Sequence, residues 1–101
     1  MTEIYVLIKF RLNEGINISE WKKISNNINK DITGVNGFQF RDSGVDEKGN
    51  IHCIIKWDSL EQQEIFKAKK DKKIAENPEM MKEISRIADM KTMTMDKITL
   101  I

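Results

Sequence analysis

Three residues that could do chemistry by type lie close together on the chain: His52, Cys53 and Trp57. His52 is the single histidine and Cys53 the single cysteine among 101 residues. One cysteine forms no intrachain disulfide, and one His with one Cys cannot complete a zinc site. A hydrolase triad that needs histidine could use only His52. Residues 51–57, Ile-His-Cys-Ile-Ile-Lys-Trp, read as a strand. Neighbours on a strand point to opposite faces, so His52 and Cys53 do not pair within one subunit. Cys53 sits among Ile51, Ile54 and Ile55, which reads as a small buried hydrophobe; a reactive thiolate needs exposure and a lowered pKa. Trp57 reads as a core aromatic or as a cavity wall that also touches a ligand. His52 is a candidate acid/base or pH-sensitive group, or a plain surface histidine. Lys56 shares its face, and Arg41 is a neighbour across the hairpin if the register allows.

Lys plus Arg number 17 and Asp plus Glu 16, a net charge of +1. That balance carries no footprint for nucleic acid or an anionic membrane. At 40% hydrophobic and 33% charged residues the chain belongs with folded domains, not disordered ones. Its length fits one domain over 1–101. No stretch approaches the ~18 apolar residues of a membrane span. The opening Met-Thr-Glu-Ile-Tyr-Val lacks a signal-peptide pattern. With the unpaired cysteine, this leads to an expected cytoplasmic location.

The positioning elements follow from periodicity. Over 3–11, Ile4, Val6, Ile8 and Phe10 alternate with Tyr5, Leu7, Lys9 and Arg11, a strand with its first set toward the core. Asn13-Glu14-Gly15 breaks it. Ile18, Trp21, Ile24, Ile28 and Ile32 form a helical stripe, with Asn17 and Glu20 at capping-box spacing. Gly34 and Gly37 end that helix. Residues 37–43 alternate as a second strand, and 45–50 form the connection to the third. Asp58 is the expected cap of the next helix, with Leu60, Ile65, Phe66 and Ala68 as its apolar positions. The basic run 67–73 reads as a solvated face or, alternatively, an anion or cofactor contact. Asn77-Pro78 starts another helix, with Met80, Ile84, Ile87 and Ala88 as its stripe. Residues 92–101 form the last strand, with a bulge expected near Asp96.

The order β-α-β-β-α-α-β predicts an α+β, ferredoxin-like split βαβ fold, an antiparallel sheet with helices on one face. The uncovered face still carries Tyr5, Leu7 and Ile54. A second copy packed sheet to sheet is the economical cover, so a C2 homodimer burying on the order of 1,600 Å² is expected.

The order of elements, Gly34-Val-Asn-Gly-Phe38 and Trp57-Asp-Ser-Leu-Glu61 resemble the antibiotic biosynthesis monooxygenase family over nearly the whole chain. The resemblance implies a dimeric α/β barrel with a cavity between sheet and helices. Cofactor-free members oxidise phenols or quinols there with O₂. Trp57 matches the tryptophan that lines the cavity in some of them. Cys53 stands where those members have an asparagine, and Gln63 near their tyrosine. In haem-degrading relatives the corresponding asparagine, tryptophan and histidine fall on Ile8, Phe66 and Glu76, so no proximal ligand is present and haem is not expected.

Two functions follow as expectations. One is a cofactor-free monooxygenase acting on a small aromatic or quinol-type compound. The other is a non-catalytic dimeric protein that binds a small apolar molecule. In both, Trp57, Cys53, Phe38, Phe66, Ile8 and Met80 are the expected ligand contacts, and Trp57 and His52 the catalytic candidates. Neither a metal nor a cofactor is expected. The methionines of the last quarter, with Phe38, Phe40 and Phe66, read as core filler or a pliable apolar pocket.

Overall fold

A computed structural model describes residues 2–101. The elements are β1 (Ile4–Leu12), α1 (Ile18–Ile32), β2 (Phe38–Val45), β3 (Asn50–Trp57), α2 (Leu60–Glu76), α3 (Pro78–Ile87) and β4 (Ala88–Thr99). The strands form one antiparallel sheet in the order β2-β3-β1-β4. Alternation on β1 sends Ile4, Val6 and Phe10 into the core, each 2% exposed. The core divides in two along the sheet. One cluster gathers Phe10, Trp21, Ile51, Cys53, Ile87 and Ala88. The other gathers Ile4, Val6, Ile32 and Trp57.

Local chemistry sets most element ends. The capping box of α1 is formed: Ser19 N–H donates to Asn17 Oδ1 at 2.9 Å, and Asn17 N–H to Glu20 Oε2 at 3.3 Å. The α2 cap is Ser59, not the expected Asp58; Gln62 N–H donates to Ser59 Oγ at 3.3 Å. Asp58 is held back in the sheet layer. Its N–H donates to Gly37 O at 2.7 Å, and its carboxylate accepts from Gln39 Nε2 at 2.7 Å. The chain passes from α3 into β4 without a loop. Asn13 makes that junction possible, because its side-chain amide donates to Ser85 O at 2.8 Å and Arg86 O at 3.0 Å. These are carbonyls that a helix end leaves without partners.

Two register features differ from the sequence expectation. The last strand pairs regularly from Ile4↔Thr99 to Lys9↔Thr94, and the irregularity falls at Asp89–Thr94 rather than near Asp96. There the bulged start of β4 is held by Thr92, whose hydroxyl donates to Asp89 O at 2.8 Å and accepts from Arg11 N–H at 2.9 Å. On β2, Phe38 pairs with Trp57 but Phe40 with Lys56, so one extra residue, Gln39, is accommodated between them. That bulge reverses the side-chain parity of the rest of β2.

Candidate functional site

The inner face of the sheet ends in an aromatic group. Trp57 closes β3 and is 1% exposed. Phe38, opposite it at the start of β2, meets it edge-on, with centroids 5.8 Å apart and planes at 70°. Phe66 descends from α2 onto the same indole, at 5.2 Å and 40°. Ile8, Val35 and Ile55 pack around this layer. Each such aromatic pair adds about 0.5–1.5 kcal/mol beyond the area it buries.

The helix above contributes more than Phe66. Gln63 lies one turn before Phe66 on the same side of α2 and is 5% exposed. Its Oε1 is fully buried and accepts no hydrogen bond among the described residues. Leu60 and Ile65, expected to face the core, are exposed instead, and so is Ala68. The start at Ser59 turns Gln63 and Phe66 inward, leaving Leu60, Ile65 and Ala68 on the outer side. The inner side of α2 is thus partly polar, and Lys70, from the basic run, lies one turn beyond Phe66. Lys70 is exposed as a residue, but desolvation of its ammonium end pushes its pKa down. Asp71 opposes that shift, while Lys67 and Arg41 add to it.

A second inner group is polar and lies farther along β3. Cys53 is buried, with Ser43 Oγ 3.5 Å from its Sγ. Trp21 of α1 donates its indole N–H to Ser43 Oγ at 3.1 Å. Arg41 Nη1 donates to Ser25 Oγ at 2.7 Å, Ser25 O at 3.3 Å and Asn29 Oδ1 at 2.8 Å, while Nη2 lies 3.6 Å from Cys53 Sγ. Arg41 therefore sits on the helix side, opposite His52 and Lys56, and the three do not form an anion site. The Gln39 bulge is the reason. Beside this group a groove of about 330 Å³ runs between α1 and the β2 edge.

The opposite face holds His52. Its Nε2 lies 2.8 Å from Asp46 Oδ2 in the hairpin. Hydrogen bonds from His52, then from the Asn50 backbone and side chain, hold the Asp46 carboxyl well below the ordinary carboxylate range. Lys56 reaches toward Glu3 at 3.5 Å and stands 5.6 Å over the Tyr5 ring. Tyr5 also meets Phe40 edge-on at 6.2 Å.

Of the expected contact residues, the fold brings Trp57, Phe38, Phe66 and Ile8 together. Cys53 belongs to the neighbouring cluster with Trp21. Met80 is half-buried on α3 and packs against neither cluster. Phe40 lies on the other face, and Met81, Met90 and Met95 are exposed, so the methionines do not form one wall. Among the described residues, no three His, Cys, Asp or Glu side chains are grouped to hold a metal ion. No helix among the described residues is long and apolar enough to cross a membrane.

The chain aligns along its whole length with PA3566 from Pseudomonas aeruginosa, at TM-score 0.71 and 9% identity, covering 96% of that protein. The order β2-β3-β1-β4 with its helices on one side decides the fold. It is ferredoxin-like. A dimeric ferredoxin-like protein of unknown function from Bacteroides fragilis matches over 97% of this chain and 96% of its own, at TM-score 0.59 and 13% identity. A candidate antibiotic biosynthesis monooxygenase from Chloroflexus aurantiacus matches over 98% and 93%, at TM-score 0.58 and 14% identity. No family model and no curated protein matches the chain. At such identities the shared property is the fold.

The Arg41 group and the inward Gln63 were not foreseen. A signal for the first was present: Ser25 and Asn29 follow Trp21 at successive four-residue steps, which places two polar side chains on the side of α1 that carries the apolar stripe.

Proposed function

We propose that the protein is a homodimeric, monooxygenase-like enzyme that takes a small phenol or quinol between the sheet and α2. The observation that carries this reading is the buried, unpaired Gln63 Oε1 beside the Trp57–Phe66 aromatic layer. A buried carbonyl without a donor costs roughly 1–3 kcal/mol. A phenolic O–H is a donor of the right chemistry; because Trp57 is 1% exposed and Gln63 5%, the layer must open at the half-buried Phe66 for a ring to stack within it. The protein would orient and desolvate the substrate, in line with a reaction that draws its electrons from the substrate itself. A phenol and O₂ would give a quinone and water, with one oxygen atom entering the ring. The fold shared with the Chloroflexus protein supports the same reading.

The homodimer rests on the uncovered sheet face. Phe40, Ile54 and Ile98 are each more than a third exposed there, and Tyr5 and Leu7 lie half-buried between them. An apolar sheet face of this kind calls for a partner, and the Bacteroides fragilis protein of the same fold is dimeric.

A second reading, non-catalytic binding of the same class of molecule, draws on the shortage of titratable groups around Trp57. Oxygen uptake with a panel of hydroquinones, measured on the wild type and on Trp57→Ala and Gln63→Leu, separates the two. Catalysis gives uptake that both substitutions abolish. Uptake no faster than that of Trp57→Ala, together with saturable quenching of tryptophan fluorescence by the same compounds, leaves binding alone. Absence of both effects removes the pocket reading altogether.

A further inference from the structure

The geometry points to a second binding site, for a small organic carboxylate, in the groove between α1 and β2, with Arg41 as its anchor. The guanidinium is half-buried, and every acceptor it touches is neutral: Ser25 Oγ and O, Asn29 Oδ1 and Cys53 Sγ. No carboxylate of the described residues lies within ion-pair distance of it. Asp42 borders the groove, but it pairs with Ile54, whose side chain is on the opposite face of the sheet. A guanidinium withdrawn from water without a counter-ion is costly, and structures normally pair it.

The surroundings add to the positive charge. Lys22 lines the groove from α1. Arg41 and Lys22 thus put two cations on one cleft that supplies no paired anion.

The donor geometry selects the ligand. Nη1 is occupied by Ser25 and Asn29. Nε–H has no acceptor among the described residues, and Nη2 has only the distant, weak Cys53 sulfur. These two nitrogens form the side edge of the guanidinium, the fork that binds a carboxylate through two parallel hydrogen bonds. Trp21, Ile18 and Ile51 supply an apolar wall for the rest of the molecule. A volume of about 330 Å³ accommodates a one-ring acid. The site does not depend on the Trp57–Gln63 layer.

The test is titration of the ¹⁵N-labelled protein with benzoate, read at the Trp21 indole N–H, with inorganic phosphate as a second arm. The expected result is a saturable shift of that resonance by benzoate, weakened by added salt. Arg41→Gln should cut the affinity at least about tenfold, through loss of the two-bond contact. Lys22→Gln should cut it about threefold, as expected for an exposed charge at the rim. Should Arg41→Gln fail to fold, Lys22→Gln and Lys22→Glu carry the test, each expected to weaken binding, the second more than the first. No saturable shift up to about 20 mM benzoate, an affinity too weak to count as a site, overturns the proposal. So do unaltered affinities in the lysine variants, or a response to phosphate without one to benzoate.

Discussion

His52 Nε2 and Asp46 Oδ2 lie 2.8 Å apart across the β2–β3 hairpin, on the sheet face away from the helices. Asp46 also accepts from the backbone N–H of Lys48 and Asn50, both at 2.9 Å, so one carboxylate organises the whole turn. The sign of its effect follows from its lowered pKa. A carboxyl whose folded pKa lies below its unfolded value adds stability above the unfolded value. It loses that contribution as pH falls toward the folded pKa. Thermal melts from about pH 6 downward should therefore show Asp46→Asn less stable than wild type, with the gap closing below about pH 4. A gap that stays constant, or widens, in acid would show that the turn does not depend on the ionised carboxylate.

Gly34 and Gly37 offer a controlled comparison in one loop. Both have positive φ, +87° and +84°, a region that costs a side-chain-bearing residue roughly 1–2 kcal/mol. Around Gly34 a Cβ would meet nothing within 4 Å, whereas at Gly37 it would run into the Gln62 side chain, from its amide to its Cβ. Gly34→Ala should cost about 1 kcal/mol and Gly37→Ala clearly more, in urea unfolding. Adding Gln62→Ala to Gly37→Ala should return part of the difference, since Gln62 is the obstacle. Equal costs at the two positions would show that backbone strain alone governs the loop.

How much of this was legible beforehand depends on range. The β1 alternation, the α1 stripe and its Asn17 cap are local patterns, and each appears where the residues put it. The placements that depended on one extra residue were not legible. Gln39 reverses the faces of everything after it on β2, which moved Arg41 under α1 and Phe40 to the open side. Two hydrogen bonds drew Asp58 into the sheet layer, so Ser59 set the phase of α2 and turned Gln63 inward. No periodicity in 58–68 announces that choice, because Asp and Ser are comparable caps. Trp57 was nameable from the family resemblance and Phe38 and Phe66 from their apolar character; the register then sets Phe38 opposite Trp57. Met80 and Cys53 were not separable from them without the register.

The open sheet face gives the sharpest test of assembly. Ile54 stands near its centre, paired with Leu7 on one side and Asp42 on the other. It is 39% exposed in the single chain. In a dimer packed sheet to sheet, Ile54→Asp would bury a charge opposite apolar side chains, a cost that should exceed what the interface can absorb. Ile65, 50% exposed on the outer side of α2, is a matched control. Light scattering should find wild type and Ile65→Asp as dimers at micromolar concentration, and Ile54→Asp as a folded or partly unfolded monomer. Because Phe40, Tyr5 and Ile98 surround Ile54 on that face, the monomer should also bind an apolar dye that the dimer does not. A dimer that survives Ile54→Asp with unchanged stability would place the interface elsewhere and leave the apolar face to a different partner.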